Sequence, residues 1–244
     1  MTINKHLTII TGASRGLGLA VARQRLALGH QVLALSRRPA ELAVDGLTSW
    51  SIDLADPVAA AARLEAWLAT QPQPASATLI NNAGVVSQLA PLAKVSAADL
   101  SNAMRVGLEA TLLLSSAFLR ATQAWAVPRK LLLISSGLGR RAMAGSASYC
   151  AAKAGMDHLA RAVALEEAGQ PNGARIVSLA PGIIDTDMQV QLRASDPTLF
   201  PDREKFVQFK DSGALASPDA AAAMVLRILD RADFGNEPVS DIRS

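Results

Sequence analysis

LTIITGASRGLG, residues Leu7–Gly18, is the stretch that decides the fold. Leu7–Thr11 is a short β-branched run of strand length, and the glycines follow at once. Gly12 permits a tight turn, Gly16 lets backbone N–H groups approach an anion, and Gly18 allows close packing of helix on strand. The N-terminus of the helix that starts here favours negative charge at the same point. Glycine turns are common and mostly structural. Between a strand and a helix, however, this one predicts a seat for a dinucleotide pyrophosphate, formed by Gly12, Ser14, Arg15, Gly16, Leu17 and Gly18.

Further strand-like runs follow at Gln31–Ser36, Ser49–Asp53, Thr78–Asn81, Lys130–Ser135 and Arg175–Ala180. Several are apolar almost throughout, as parallel strands covered on both faces are. They alternate with helical stretches at Gly16–Leu28, Pro57–Ala69, Ala97–Ala126 and Ser148–Ala168, and a last helix, Pro218–Asp230, precedes a short strand near Val239. Pro57 suits a first helical turn, with Asp56 as its cap. The alternation predicts an α/β fold: one doubly wound parallel sheet with helices on both faces, in a single domain over residues 1–244. Residues 185–215 break the rhythm, with Pro197, Pro201 and mixed charge. Following a strand, that segment is placed to cover the crevice at the carboxyl ends of the strands, as a substrate lid.

The second strand ends in Ser36-Arg37-Arg38. An NAD site usually carries an acid here for the ribose 2′-hydroxyl, whereas arginine accommodates a 2′-phosphate. Arg37 and Arg38, with Arg15 across the loop, therefore predict NADP, because guanidinium forks pair well with phosphate oxygens. Asp53 is read as an acceptor for the adenine amino group and Leu54 as packing on the ring.

Tyr149 and Lys153 stand four apart on a predicted helix and share a face. An ammonium near a phenol favours the phenolate, so the spacing predicts a tyrosine with a lowered pKa that exchanges a proton with a carbonyl or alcohol oxygen. Alone, the pair would mean little. In order along the chain stand Thr11–Gly18, Asn81–Gly84, Ile134-Ser-Ser136, Tyr149-x-x-x-Lys153 and Pro181-Gly182. Together these resemble the short-chain dehydrogenase/reductase family over nearly the whole chain.

That resemblance implies a Rossmann fold and hydride transfer between a nicotinamide and a carbonyl carbon. It implies Ser136 as the hydrogen-bond donor to the substrate oxygen, Tyr149 as the general acid and base, and Lys153 as the residue that binds the nicotinamide ribose. It places Asn82, Ala83 and Gly84 beside the adenine and ribose. Pro181, Gly182, Ile184 and Thr186 fall beside the nicotinamide, with Thr186 on its carboxamide. One member of the pattern is missing: Gly107 stands where the family often has an asparagine that supports a water chain to the lysine. Within the family, Tyr149–Gly155, Ala164–Glu167, Ala180–Met188 and Phe209–Leu215 resemble the sepiapterin reductase and benzil reductase branch, which reduces vicinal dicarbonyls with NADPH. The resemblance offers Asp241 near the C-terminus as an anchor for a cationic or pterin-like group, but it reads first as an exposed tail acid.

Composition fits this reading. Half of the 244 residues are apolar, and the net charge of +3 is scattered without a basic run, so no nucleic-acid partner is expected. Cys150 is the sole cysteine, which excludes an internal disulfide and suits a reducing compartment. The start MTINKHLTIITGAS lacks the features of a signal peptide, and no apolar run spans a bilayer, so the chain is read as cytoplasmic. His6, His30 and His158 show no metal-ligand spacing. Trp50, Trp67 and Trp125 read as packing residues. The partners expected are a small-molecule carbonyl substrate and a second copy of the chain, as a homodimer or homotetramer through the Ala- and Leu-rich helices. Two alternatives stay open: another substrate, such as a 3-oxoacyl thioester or a sugar or steroid alcohol, or an NADP-binding regulator without turnover.

Overall fold

The computed structural model describes residues 5–39 and 44–243. The opening Met1–Asn4, read above against a signal peptide, lies outside them. Seven strands form one parallel sheet in the order β3-β2-β1-β4-β5-β6-β7. They are β1 (His6–Thr11), β2 (Gln31–Ser36), β3 (Leu47–Ser51), β4 (Ser76–Asn81), β5 (Arg129–Ile134), β6 (Arg175–Ala180) and β7 (Val239–Asp241). From β1 the chain winds outward through β2 and β3, then returns to β4 and winds the other way. The carboxyl ends of β1 and β4 therefore flank the topological switch point, where ligands of open α/β sheets sit.

The described residues also form eight α-helices: α1 (Gly16–Ala27), α2 (Pro57–Leu68), α3 (Ala97–Met104), α4 (Ala110–Thr122), α5 (Ala147–Ala168), α6 (Asp187–Arg193), α7 (Arg203–Asp211) and α8 (Pro218–Leu229). Successive strand residues point to opposite faces, and both faces are buried. Ile9, Leu33, Leu79 and Leu131 pack with α2, α4 and α5 on one side. Ile10, Ala34, Ile80 and Leu132 pack with α1 and α8 on the other. That double burial is why the strands read as unbroken apolar runs rather than alternating ones. Caps fix several helix starts. Asp56 accepts from the Ala59 amide at 3.2 Å ahead of Pro57, and Ser217 accepts from the Ala220 amide at 3.2 Å ahead of Pro218.

Three expectations need correction. The third strand covers Leu47–Ser51 rather than Ser49–Asp53, because it pairs Leu47 with Val32 and Trp50 with Leu35. The long helix Ala97–Ala126 is interrupted by a π-turn at Arg105–Glu109 and ends at Thr122. Gly107 lies within that turn, and a Cβ on it would meet the Ala152 Cβ at 3.2 Å, so helix and α5 meet there at nearly backbone distance. Asp241 is not an exposed tail acid. It ends β7, its side chain is only 18% exposed, and it is 2.8 Å from Arg243 Nε.

Candidate active site

The glycine turn joins β1 to α1, and its residues take the conformations that were expected of them. Gly12 and Gly16 have φ of +68° and +55°, the left-handed region that other residues avoid. Gly18 has no room for a side chain: a Cβ would lie 2.3 Å from the Gly12 carbonyl oxygen. The turn is braced from β4. The Thr11 hydroxyl accepts from the Asn82 and Ala83 amides, each at 2.9 Å, while Asn82 Nδ2 donates to the Thr11 carbonyl at 2.9 Å. Thr11 as a brace was not legible beforehand. A threonine ending a buried strand next to a glycine turn is a weak signal, since its partner lies more than seventy residues away in sequence. Leu17 is buried under the turn, and Ser14 and Gly16 are partly open. A pyrophosphate fits this cradle: Gly12, Gly16 and Gly18 carry no side chain, Ser14 and Gly16 are partly open, and the helix end supplies the favourable dipole.

Where the adenine was expected, Ser36 is buried at the end of β2 and donates to the Arg38 carbonyl at 2.5 Å. Arg37 and Arg38 are exposed. Asp53 caps a turn by accepting from the Ala55 amide at 3.0 Å, and Leu54 belongs to the hydrophobic core. Arg15 lies 2.6 Å from the Asp187 carboxylate at the start of α6. Thr186 sits on the glycine turn, where a Cβ on Gly16 would be 3.3 Å from its methyl group. Ile184 forms an isolated bridge with Ala216, which anchors the strip running from Pro181 and Gly182.

Ser136, Tyr149 and Lys153 come together, the last two as their spacing predicts and Ser136 as the resemblance implies. Ser136 follows β5 and opens a 3₁₀ turn, Gly137–Gly139, accepting from the Leu138 amide at 3.2 Å. Its hydroxyl lies near the Tyr149 phenol, close enough to act on the phenol's ionisation. The Lys153 ammonium is 5.5 Å from the Tyr149 ring centroid and donates to the Ile134 carbonyl at 2.6 Å. Gly84 borders it; a Cβ there would be 3.7 Å from Lys153 Nζ.

One expectation fails in this arrangement. The Tyr149 pKa is not lowered overall: burial pushes the phenol up to about 12, and the nearby Ser136 hydroxyl only partly opposes it. Burial also pulls Lys153 down to about 8, against the nearby Asp157 carboxylate. Both shifts have one cause, the loss of solvent around a charged form. At neutral pH the pair is thus a neutral phenol beside an ammonium.

An apolar cluster faces the phenol. Leu89, Leu138, Met143, Leu192 and Phe200 form it, with Tyr149, Cys150, Met188 and Phe206 packed against it. Residues 187–211 supply α6 and α7 to this cluster, so the irregular segment of the sequence contains two short helices. Cys150 lies 3.6 Å from the Ser146 hydroxyl. His6 and His30 stack with centroids 4.9 Å apart, Trp50 packs edge-on against Trp67, and Trp125 is buried. Among the described residues no group of three metal-ligating side chains occurs, and no helix is long and apolar enough to cross a membrane.

A glycine turn at the switch point with serine, tyrosine and lysine around the next crevice defines a class, and comparison agrees: the chain belongs to the short-chain dehydrogenase family, whose model matches residues 6–197. Benzil reductase ((S)-benzoin forming) of Bacillus subtilis (strain 168) is 34% identical over 228 residues, covering 93% of this chain and 94% of that protein. Sepiapterin reductase of Mus musculus is 31% identical, with coverage of 93% and 92%. Among solved structures, a short-chain dehydrogenase/reductase from Burkholderia vietnamiensis is 33% identical with a TM-score of 0.68, and each chain is covered to 99%.

Proposed function

We propose that this protein is an NADPH-dependent carbonyl reductase acting on ketones and vicinal dicarbonyls with apolar flanks. The observation that carries the reading is the Tyr149 phenol, near the Ser136 hydroxyl, beside a buried ammonium and against an apolar cluster. When bound, the reduced nicotinamide supplies the hydride. Gly12, Ser14, Gly16, Leu17, Gly18, Asn82, Ala83, Gly84, Pro181, Gly182, Ile184 and Thr186 hold the dinucleotide, with Asp53 and Leu54 at the adenine. Ser36, Arg37, Arg38 and Arg15 receive the 2′-phosphate, which favours NADP over NAD.

The residues act on the substrate oxygen as follows. Ser136 donates a hydrogen bond that orients it, and Tyr149 transfers its proton to it. A phenol held near pKa 12 stands ready as the acid at neutral pH. Lys153, still charged below about pH 8, favours the phenolate left behind. Residues 185–215 close over the crevice as a lid, with Met188, Leu192, Phe200 and Phe206 excluding water from the substrate. The kinship with benzil reductase supports an aryl diketone as the first substrate to try.

The test is a panel of carbonyls, benzil included, with NADPH and NADH side by side and absorbance at the reduced nicotinamide band as the readout. Rapid oxidation of NADPH with dicarbonyls, and slow oxidation of NADH, is the expected pattern. NADPH binding without turnover across the panel would favour the regulator instead.

A further inference from the structure

Helix α5 carries a third polar group in file with Tyr149 and Lys153. Asp157 lies one turn beyond Lys153 and is 2% exposed. Its carboxylate is engaged at both oxygens: Oδ1 accepts from the Ser178 hydroxyl at 2.7 Å and Oδ2 from Arg140 Nε at 3.0 Å. Arg140 reaches on to the Ser240 carbonyl at 2.9 Å. Each partner belongs to a segment that bears on the site. Arg140 follows the 3₁₀ turn that opens at Ser136. Ser178 lies in β6, which leads into Pro181 and Gly182.

The turn and the helix touch at backbone distance. A Cβ on Gly139 would be 2.9 Å from Asp157 Oδ2 and 2.9 Å from the Lys153 carbonyl oxygen. The ion pair therefore lies at the contact between the Ser136 turn and the helix that carries the phenol. Stability alone does not account for a buried carboxylate held in an ion pair, since well-packed apolar replacements are often as good or better. What such a pair does supply is a fixed direction and distance, through charge-assisted bonds at both ends.

We propose that Asp157 is a positioning residue: through Arg140 its carboxylate fixes the turn beginning at Ser136 against α5, and so holds the Ser136 hydroxyl on the Tyr149 phenol. Ser178 keeps the carboxylate from following the partly exposed Arg140 outward. The inference rests on the reading of Ser136, Tyr149 and Lys153 as the reaction centre.

A double-mutant cycle tests it, using Asp157→Asn and Ser136→Ala, alone and together, in the full chain. Turnover and NADPH binding are measured for each variant. Because Tyr149 is the chain's sole tyrosine, ¹³C-tyrosine labelling also gives NMR signals from that one ring. Asp157→Asn should lower kcat about tenfold, as small misplacements of catalytic groups do, and leave the NADPH Kd within about twofold. With Ser136 already removed, it should cost less than about twofold more. The Tyr149 signal should move the same way in both single variants and no further in the double. Losses that multiply, or an unmoved Tyr149 signal in Asp157→Asn, would overturn the proposal. If Asp157→Asn does not fold, Arg140→Gln breaks the same pair from its more exposed side, and the cycle is run with it. If the wild type reduces no carbonyl, the catalytic reading fails, and the NMR arm still decides the positioning.

Discussion

Tyr149 and Lys153 share a face of α5, and burial acts on them in opposite senses, raising the phenol and lowering the amine. The spacing of the two residues was enough to place them together. It was not enough to give the sign of the tyrosine shift, which depends on how much solvent the surrounding Leu138, Met143 and Phe200 exclude. The lysine shift has a consequence for stability. In the unfolded chain Lys153 titrates near 10.5, and in the folded protein near 8. Between those values the unfolded state binds more protons, so the lysine's burial cost is full below pH 8 and relieved as pH rises through the window. Urea unfolding of the ligand-free protein should show the wild type gaining about 2 kcal/mol on Lys153→Met between pH 7 and 10. Above pH 10 the raised Tyr149 acts the other way, so the comparison stops there. Parallel curves for the two proteins would contradict the burial assigned to Lys153.

Among the elements, those buried on both faces were the most legible. β1, β2, β5 and β6 read as strands because neither face meets water, and the Pro57 and Pro218 helices announce their own starts. Less legible were elements set by distant contacts. The π-turn at Arg105–Glu109 depends on the close approach of Ala152, and the helices of the 185–215 segment depend on packing against Leu89 and Met143. Arg15 shows the same limit. Its chemistry marked it as a phosphate ligand, but its partner in this structure, Asp187, belongs to a helix the sequence did not reveal. The two side chains are 70% and 65% exposed, so their pairing is weak. In the proposed NADP site it would compete with the 2′-phosphate for the same guanidinium. Asp187→Asn should therefore tighten NADPH binding by at most about fivefold and leave NADH unchanged, an effect that fades with added salt. Fluorescence titration of both nucleotides checks this, and equal changes for the two would rule the competition out.

The whole molecule places its motifs in space in the order they follow along the chain. The glycine turn and the Asn82–Gly84 strip meet at the switch point, and the Ser136, Tyr149 and Thr186 segments follow around the same rim. That order was readable because the motifs other than Tyr149-x-x-x-Lys153 on α5 follow strand ends, and a parallel sheet brings strand ends to one edge. The outer faces of α4 and α5 leave Leu112 and Leu165 exposed. We infer that they pair with a second copy of the chain. Light scattering should give at least twice the mass of one chain, and Leu165→Glu should lower it; a single-chain mass for the wild type would refute the pairing.

The most direct measurement for the account as a whole is turnover by Tyr149→Phe beside the wild type, with NADPH and benzil, after NADPH binding has been confirmed for both. The phenol is the proposed proton donor and only its hydroxyl is removed. Cofactor binding should therefore survive while the rate falls by at least about a hundredfold. A variant that turns over at the wild-type rate would show that the proton comes from elsewhere.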